Sequence, residues 1–415
     1  MAERFAGLRV VGAVGAAAAL LACGGAVSQV TGRAGTGGPR AKPLSVRRWT
    51  ELPRPPQHRD GASFAWAGTE LLLWGGCDRR VDGDCRATAD GFAFDTVEKK
   101  WRRMAPAPRA GTYARTERTG TAVVFVFEPE GGGRLVAQSY EPATGTWSRL
   151  PRPPLRTATE IAWTGTELLV WSEGSRARPR MWRGAAYDYV AGEWRSIADA
   201  PFALNLVSAA WTGTEVVLFG SLLDDRNWAE TKTSVGAAYA PVTDTWRRLP
   251  PSKLSAQATS AALVAGKLVA WDYRTNYQVY DPVRDRWSGV RPMPLEFSEC
   301  YPDSEVARWV MFAFFCGHAA TFDPLARNEP PPRSSRRSRG SGVWREVHGG
   351  PLRERIDGGA GRLRVWQIAE MASSGEAVYL VMEGITVTKR GVACFGCRGA
   401  PESFWAFRPS VPPGI

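Results

Sequence analysis

Residues 159–171 read TEIAWTGTELLVW, two short runs of apolar and β-branched side chains joined by a tight TGT turn. Runs of this kind, bounded by glycine and threonine, are typical of a β-hairpin. The same pattern recurs as SFAWAGTELLLWGG (63–76), as SAAWTGTEVVLFG (208–220) and, more loosely, as TSAALVAGKLVAW (259–271). Repetition of one hairpin along a chain predicts a repeat architecture, in which no single unit buries its own apolar face.

Each hairpin is followed by a third β-rich run, a turn and a tryptophan. The third run is clearest in GAAYDY (184–189) and YQVYDP (277–282). The tryptophan opens a fourth run, and a proline-rich segment such as LPRPP (150–154) comes after it. These tryptophans recur every 41 to 57 residues, as Trp49, Trp101, Trp147, Trp194, Trp246, Trp287 and Trp344. Four short strands per repeat predict the blade of a β-propeller.

The number of blades follows from the number of strands. The sequence contains seven hairpins and seven third runs, but only six of the fourth runs follow a third run. The last blade therefore lacks its fourth strand at the C-terminal end, and one such strand is left over around Trp49. We predict an all-β, seven-bladed propeller over residues 47–409, in which residues 47–52 complete the last blade so that no sheet edge stays unpaired.

The turn-and-tryptophan segment with its proline-rich connector resembles the kelch repeat, and the resemblance covers nearly all of residues 47–409. One feature departs from it, because the double glycine after the second strand of a kelch unit is present only as Gly75-Gly76. Other units have Trp171-Ser172 or Phe219-Gly220 at this place. The resemblance implies a divergent kelch-like propeller, similar also to the central domain of galactose oxidase. It implies the fold and says little about the ligand.

The N-terminus predicts export. A basic start is followed by an apolar stretch (10–21) that is too short to span a bilayer and has the proportions of a signal peptide. The sequence LLAC (20–23) resembles a bacterial lipobox, in which the cysteine is lipidated and becomes the new N-terminus. The alternative is an ordinary secretion signal with an incidental cysteine. We expect a signal peptide (1–22), a flexible tether (23–46) and lipid anchoring through Cys23 at the outer face of the cell membrane.

The other six cysteines form three local groups, Cys77 with Cys85, Cys300 with Cys316, and Cys394 with Cys397. Local disulfides are expected in an oxidising compartment, although six cysteines allow fifteen connectivities. A bond between Cys316 and Cys394 is the competing arrangement. The CFGC motif of the last group lacks a second CxxC or a nearby histidine, which favours a structural bridge over a zinc site.

The composition is that of a folded protein, with 44% hydrophobic and 23% charged residues and a formal net charge of +12. Only 7 of the 53 basic residues are lysine, which leaves 46 arginines spread through all the repeats. We expect no nucleic-acid groove, and an anionic wall polymer or lipid headgroup is the electrostatic partner that suits an exported basic protein. The insertion 327–342, rich in Pro, Ser and Arg, predicts a disordered loop, with a basic docking segment as the alternative. Residues 410–415 form a C-terminal tail, and we expect a monomer.

Arginines in the connectors are the best candidates for binding. Arg59, Arg109 and Arg156 each follow a proline-rich segment and precede the innermost strand of a blade, so they should project at one end of the central channel. Guanidinium groups there would suit a carboxylate, a sulfate or a sugar acid. The alternative is that they bond the backbone of neighbouring blades. Later connectors carry Asn205, Gln257 and Glu296 at this place, and the long loops on the same face carry aromatic residues that either stack on sugars or pack the loops, namely Trp182, Trp228 and Phe395.

No catalytic set is evident. The three histidines, His58, His318 and His348, match no copper-binding set of galactose oxidase, and we expect neither a metal nor another cofactor. Glu70, Glu167 and Glu215 occupy identical places in equivalent hairpins, which indicates a role in the turn. We therefore predict non-catalytic recognition of a protein or glycan. The alternative is a carbohydrate-active enzyme, galactose-oxidase-like or sialate-epimerase-like, with its site in the central funnel.

Overall fold

The computed structural model describes residues 49–409, apart from position 58 and the segments 80–84, 173–181, 203, 224–229, 255–259, 273–275, 294–302, 308–309, 316–317, 328–340, 348–353, 356–362, 389–390 and 393–401. The described chain is all-β and forms seven antiparallel sheets, the blades of a β-propeller. None of the described residues belongs to a helix with the length and apolarity needed to cross a bilayer.

The chain begins with β1 (Trp49–Leu52), which belongs to the last blade. Blade one contains β2 (Asp60–Trp66), β3 (Glu70–Arg79), β4 (Cys85–Ala87), β5 (Gly91–Asp95) and β6 (Lys100–Arg103). Blade two contains β7 (Arg115–Thr119), β8 (Ala122–Phe127), β9 (Val136–Glu141) and β10 (Thr146–Arg149). Blade three contains β11 (Glu160–Trp163), β12 (Glu167–Ser172), β13 (Arg183–Asp188) and β14 (Glu193–Ile197).

The remaining blades follow the same order. Blade four contains β15 (Leu204–Trp211), β16 (Val216–Leu223), β17 (Glu230–Ala240) and β18 (Thr245–Arg248). Blade five contains β19 (Ser260–Val264), β20 (Lys267–Trp271), β21 (Asn276–Asp281), β22 (Arg286–Trp287) and β23 (Arg291–Pro292). Blade six contains β24 (Asp303–Ala307), β25 (Val310–Phe315), β26 (His318–Arg327) and β27 (Ser341–Val347). Blade seven contains β28 (Glu354–Arg355), β29 (Leu363–Ser373), β30 (Val378–Thr388), β31 (Gly391–Val392) and β32 (Glu402–Phe407), and β1 completes it.

The ring closes through Trp49. Strand β1 pairs antiparallel with β32, and Trp49 lies opposite Phe407. The Trp49 ring is 4.9 Å from the ring of Phe407 and 6.0 Å from that of Phe312 in blade six. The predicted completion of the last blade by the N-terminal strand is confirmed, and this strand also packs against the neighbouring blade.

The innermost strands surround the central channel. They contact one another in cyclic order, β2, β7, β11, β15, β19, β24, β29 and β2 again. Because neighbouring strands within a blade are antiparallel, each innermost strand begins at the face where the second strand ends. The connectors between blades and the loops between second and third strands lie on this face, which we call the connector face. The hairpin turns lie on the opposite face, the turn face.

The hydrophobic core lies between the blades. The described residues form seven apolar clusters, and each cluster combines residues of two neighbouring blades. Trp171 of blade three, for example, packs with Tyr239 of blade four. Because apolar burial is shared in this way, a blade is stabilised mainly by its neighbours rather than by its own strands.

The recurring tryptophan hydrogen-bonds to the previous blade. In five blades its indole Nε1 donates to a backbone carbonyl in the connector that leaves the blade before it. The pairs are Trp101 with Pro53 at 2.7 Å, Trp147 with Ala105 at 2.8 Å, Trp194 with Pro151 at 2.7 Å, Trp246 with Ala198 at 2.8 Å and Trp287 with Pro250 at 2.9 Å. A large apolar ring with one donor suits this position, because the ring fills space between the blades while its N–H holds the connector in place.

Two arginines extend this contact. Arg149 and Arg248 each lie two residues after the recurring tryptophan of their blade, and each donates to a connector carbonyl, that of Pro108 at 3.4 Å and that of Pro201 at 3.0 Å. Arg248 also lies 5.1 Å from the ring centroid of Phe202. Part of the arginine excess therefore holds connectors in place, a task that the planar guanidinium performs better than an ammonium group.

Candidate binding surface on the connector face

Arg59 is part of the interior of blade one. Its side chain is 2% exposed and forms an ion pair of 2.8 Å with Asp90. It also donates to the carbonyl oxygens of Gly75 and Asp90 and lies 5.2 Å from the ring centroid of Phe92. Hydrogen bonding from Arg59 lowers the pKa of Asp90 below its ordinary value. Arg59 thus bonds the backbone of the blade that it enters, whereas the alternative considered for the connector arginines was a bond to neighbouring blades.

Arg109 and Arg156, in contrast, are exposed. The backbone of Arg109 is held from both sides by the Gln138 amide, which accepts from its N–H at 3.2 Å and donates to its carbonyl at 3.3 Å. The connector around Arg156 is fixed by a hydrogen bond between the hydroxyls of Thr157 and Ser172. The two guanidinium groups are therefore presented to solvent from a backbone that is already ordered.

The other predicted positions are only partly described. Asn205 lies in β15 opposite Ser221, at the start of an innermost strand. Gln257, Glu296, Trp228 and Phe395 lie outside the described residues, as do His58, His348 and Cys23. Their predicted roles stay predictions.

Trp182 packs its loop, which is the second of the two roles considered for the loop aromatics. Its side chain is 1% exposed and belongs to the core between blades three and four. Its indole Nε1 donates to the carbonyl of Leu204 at 3.1 Å. The ring therefore packs the loop against the next blade and presents no face to a ligand.

The repeated glutamates form ion pairs within their own blades. Each bonds the arginine that follows the recurring tryptophan on the fourth strand, and the pairs are Glu70 with Arg102 at 2.6 Å, Glu167 with Arg195 at 2.8 Å and Glu215 with Arg247 at 2.7 Å. These contacts connect the second strand to the outermost strand near the turn face. They give the glutamates a structural role, as their repetition indicated.

Tyr113, in the connector between blades one and two, was not singled out by sequence. It is 53% exposed and has a left-handed φ of 51°. Its N–H donates to the carbonyl of Gly61 at 2.7 Å, and a Cβ on Gly61 would be 2.7 Å from Cζ of its ring. Strand register places Tyr113 where blade one has Gly61 and blade three has Ala158. The available signal was a large ring at a position where blades one and three have a small residue.

Two glutamates in the innermost strands were also missed, one of them buried and the other half-buried. Glu117, 9% exposed, accepts a hydrogen bond of 3.2 Å from the N–H of Trp163 in the next blade. Glu160 similarly accepts from the N–H of Ala209. Burial raises the pKa of Glu117 to about 8 and that of Glu160 to about 7. The two carboxyl groups satisfy backbone donors at the edges of neighbouring blades, beside the channel.

The structure describes two of the six cysteines that were predicted to form disulfides. Cys77 in β3 is buried and disulfide-bonded. Cys85 lies in β4, the strand that pairs with this end of β3, two residues from the position opposite Cys77. The bond between them stays a prediction, and Cys300, Cys316, Cys394 and Cys397 lie outside the described residues. Within the described part of the chain, no group of three or more His, Cys, Asp and Glu side chains is placed to hold a metal ion.

Comparison with known proteins gives a partial similarity. No protein-family model matches the chain. The Kelch-like protein terF of Aspergillus terreus (strain NIH 2624 / FGSC A1156) is 28% identical over 168 residues, which cover 37% of this chain and 36% of that protein. The chain thus spans little more than a third of this relative's length. Together with the seven-bladed ring, the similarity supports a propeller of the kelch type.

Proposed function

We propose that this kelch-type propeller is an interaction module that binds an anionic protein or glycan at its connector face. The observation that carries the proposal is the exposure of Arg109 and Arg156 in successive connectors that are held by hydrogen bonds. Arginine presents a planar fork of donors that matches carboxylate and sulfate groups. An ordered backbone supports binding because less conformational entropy is lost when the ligand arrives.

The net charge of the chain agrees with an anionic ligand. A formal charge of +12 favours encounter with polyanions, and this long-range attraction weakens as salt is added. Charge alone does not select a face, however. If the binding site is on the connector face, two charges there should contribute more to the binding affinity than two charges elsewhere.

The experiment compares two double variants with equal net charge. Arg109→Gln with Arg156→Gln removes two charges from the connector face, and Lys99→Gln with Arg284→Gln removes two exposed charges from the turn face. Binding to a glucuronic-acid polysaccharide and to poly-L-glutamate is measured by titration calorimetry. We expect the first variant to weaken binding by about tenfold or more and the second by about twofold at most. Equal losses would mean non-specific attraction and would contradict a site on the connector face.

We further propose that the protein is exported, anchored through a lipid on Cys23 at the outer face of the cell membrane, and monomeric. The apolar stretch and the LLAC sequence at the N-terminus support this proposal. Mass spectrometry of the mature protein should find a lipid-modified Cys23 as the first residue, and light scattering should give the mass of one chain. A mature chain that begins at any other residue would exclude the anchor.

The alternative, a carbohydrate-active enzyme, has one observation in its favour. Glu117 and Glu160 lie beside the channel with raised pKa values near neutral pH, as acid and base catalysts often do. Glu117→Gln should abolish turnover of any substrate if its carboxyl reacts. Stoichiometric copper in the purified protein would support the oxidase form of this alternative. Unchanged ligand binding together with an altered pH dependence of stability would instead support the structural role of Glu117.

A further inference from the structure

We propose that Tyr113 is the stacking platform of a subsite for an acidic pyranose sugar, such as a uronic-acid unit, at the mouth of the channel on the connector face. The inference rests on the anionic ligand proposed above and assigns its chemical class.

The backbone of Tyr113 is strained. A φ of 51° is unfavourable for a bulky side chain, and the usual solution at such a position is glycine or asparagine. Strain of this kind is concentrated at functional sites. Burial in a core does not compensate for it here, because the side chain is 53% exposed. A large exposed ring at a strained position indicates a role other than stability.

The connector that carries Tyr113 is held rigidly. Five hydrogen-bonded contacts hold the connector at four of its residues. They join Arg109 to Gln138, Gly111 N to Thr88 O, Gly76 N to Gly111 O, Tyr113 N to Gly61 O, and Ser63 Oγ to Ala114 O. Gly111 fits closely as well, because a Cβ at this position would be 2.5 Å from the ring of Phe127. The backbone that carries the ring of Tyr113 is thus held in one conformation, which favours a binding platform.

The ring lies beside the channel mouth. Tyr113 precedes the innermost strand β7 by two residues, and its ring rests on Gly61 at the start of the innermost strand β2. Arg109, four residues earlier in the same connector, and Arg156 in the next connector are exposed on the same face. The face of an aromatic ring is partly negative and attracts the C–H groups of a sugar ring, while a guanidinium group binds a carboxylate. The combination fits a sugar that carries an acid group.

A protein segment fits this surface less well. Protein interfaces have a continuous apolar centre, and the exposed large apolar residues among those described lie mostly on the turn face. Val97, Val190, Val242 and Val283 belong to turns between third and fourth strands, whereas Tyr113 and Val290 belong to connectors of different blades. A single ring flanked by arginines matches one sugar unit better than a peptide.

The test uses the purified full chain and four variants. Tyr113→Asn removes the ring and tolerates the left-handed backbone, Tyr113→Gly does the same without a side chain, and Tyr113→Phe keeps the ring. Val190→Asn removes a 97% exposed side chain from the turn face and serves as the control. The probes are a glucuronic-acid oligosaccharide, neutral dextran and poly-L-glutamate, with Kd from calorimetry and Tm from thermal unfolding.

We expect Tyr113→Asn and Tyr113→Gly to weaken binding of the acidic oligosaccharide by about tenfold while Tm stays equal or rises. Tyr113→Phe should bind within about threefold of the wild type, because the ring face is kept, and dextran should bind weakly or not at all. A fall in Tm with unchanged Kd would show that the ring is only a packing element and would overturn the inference.

The remaining outcomes separate this inference from the proposed function. If poly-L-glutamate binds through Tyr113 and the sugar does not bind, the ligand is an acidic protein segment and the sugar assignment is wrong. If the Arg109→Gln, Arg156→Gln variant loses binding but Tyr113→Asn does not, the anionic site stands and the platform is rejected. If neither polyanion binds to the wild type, the inference and the proposed function both fail.

Discussion

The indole Nε1 of Trp194 donates a hydrogen bond of 2.7 Å to the carbonyl oxygen of Pro151, which lies in the connector that leaves the previous blade. Four other blades repeat this contact at 2.7 to 2.9 Å. The recurring tryptophan is therefore a contact between blades, and its position along the chain follows the period of the ring. Because the bond reaches the proline-rich connector, it also fixes the segments that carry the candidate binding residues.

Removal of the indole donor should destabilise the ring slightly. We expect Trp194→Phe to lower the free energy of unfolding in urea by about 1 kcal/mol for the lost hydrogen bond, plus a contribution from the smaller ring. Trp49→Phe is the matched control, because the Nε1 of Trp49 is buried and none of the described residues accepts a hydrogen bond from it. A smaller loss for Trp194→Phe than for Trp49→Phe would show that the bond to Pro151 contributes nothing.

The ion pair between Glu167 and Arg195 should make a modest contribution to stability. The arginine side chain is 41% exposed, and pairs in such surroundings contribute about 0–1 kcal/mol. Glu167→Gln should therefore cost about 1 kcal/mol or less in urea unfolding and leave ligand binding unchanged. Loss of binding at unchanged stability would instead assign the carboxylate to a site.

The stability of the ring should fall as pH rises through neutrality. Burial raises the pKa of Glu117 from an ordinary value of 4.5 to about 8, so the folded state retains a proton that the unfolded state has released. This stabilisation is complete below about pH 4.5 and is lost as pH rises through about 8, with a slope of up to about 1.4 kcal/mol per pH unit. Urea unfolding from pH 5 to 9 should show this fall.

Glu117→Gln should flatten the decline in stability with pH, because glutamine stays neutral throughout. Glu160, whose pKa burial raises to about 7, should leave a residual decline at lower pH, and the double variant should remove most of it. Glu98→Gln removes an exposed carboxylate from a turn of blade one and serves as the control. An identical pH profile for wild type and Glu117→Gln would contradict the buried, protonated carboxyl.

The disulfide of Cys77 should join it to Cys85. Non-reducing peptide mapping is expected to find this pair, since β3 and β4 bring the two residues to the same end of one strand pair. Replacement of both residues by serine should lower the free energy of unfolding by about 2–3 kcal/mol, the stabilisation expected for a loop of this length. Reduction of the wild type should lower stability at least as far as in the variant, because the other expected disulfides are reduced with it. A cross-link from Cys77 to any other cysteine would make the local pairing wrong.

Several features of the site could not be predicted from the sequence. Arg59, Arg109 and Arg156 occupy comparable places in the repeat, yet the first is buried against Asp90 and the other two are exposed. The difference depends on Asp90, which directly precedes the third strand of the blade, and on Phe92 within that strand, and neither belongs to the connector. The sequence left stacking and packing both open for Trp182 for a similar reason, because its burial comes from residues of the next blade. The sequence shows which residue types each connector and loop carries, but not which of these side chains are covered by residues of another strand or blade.

The sequence by itself determined the architecture, because each repeat encodes its strands locally and the unmatched fourth strand around Trp49 allows only one way to close the ring. Apolar alternation, turn residues and the spacing of tryptophans are properties of neighbouring positions, so they are visible without coordinates. Only the tertiary structure decided the surface. The left-handed backbone of Tyr113 and the buried carboxyl of Glu117 depend on contacts between neighbouring blades. These contacts join residues that are far apart in sequence. Those contacts, rather than the repeat, select the residues available for binding.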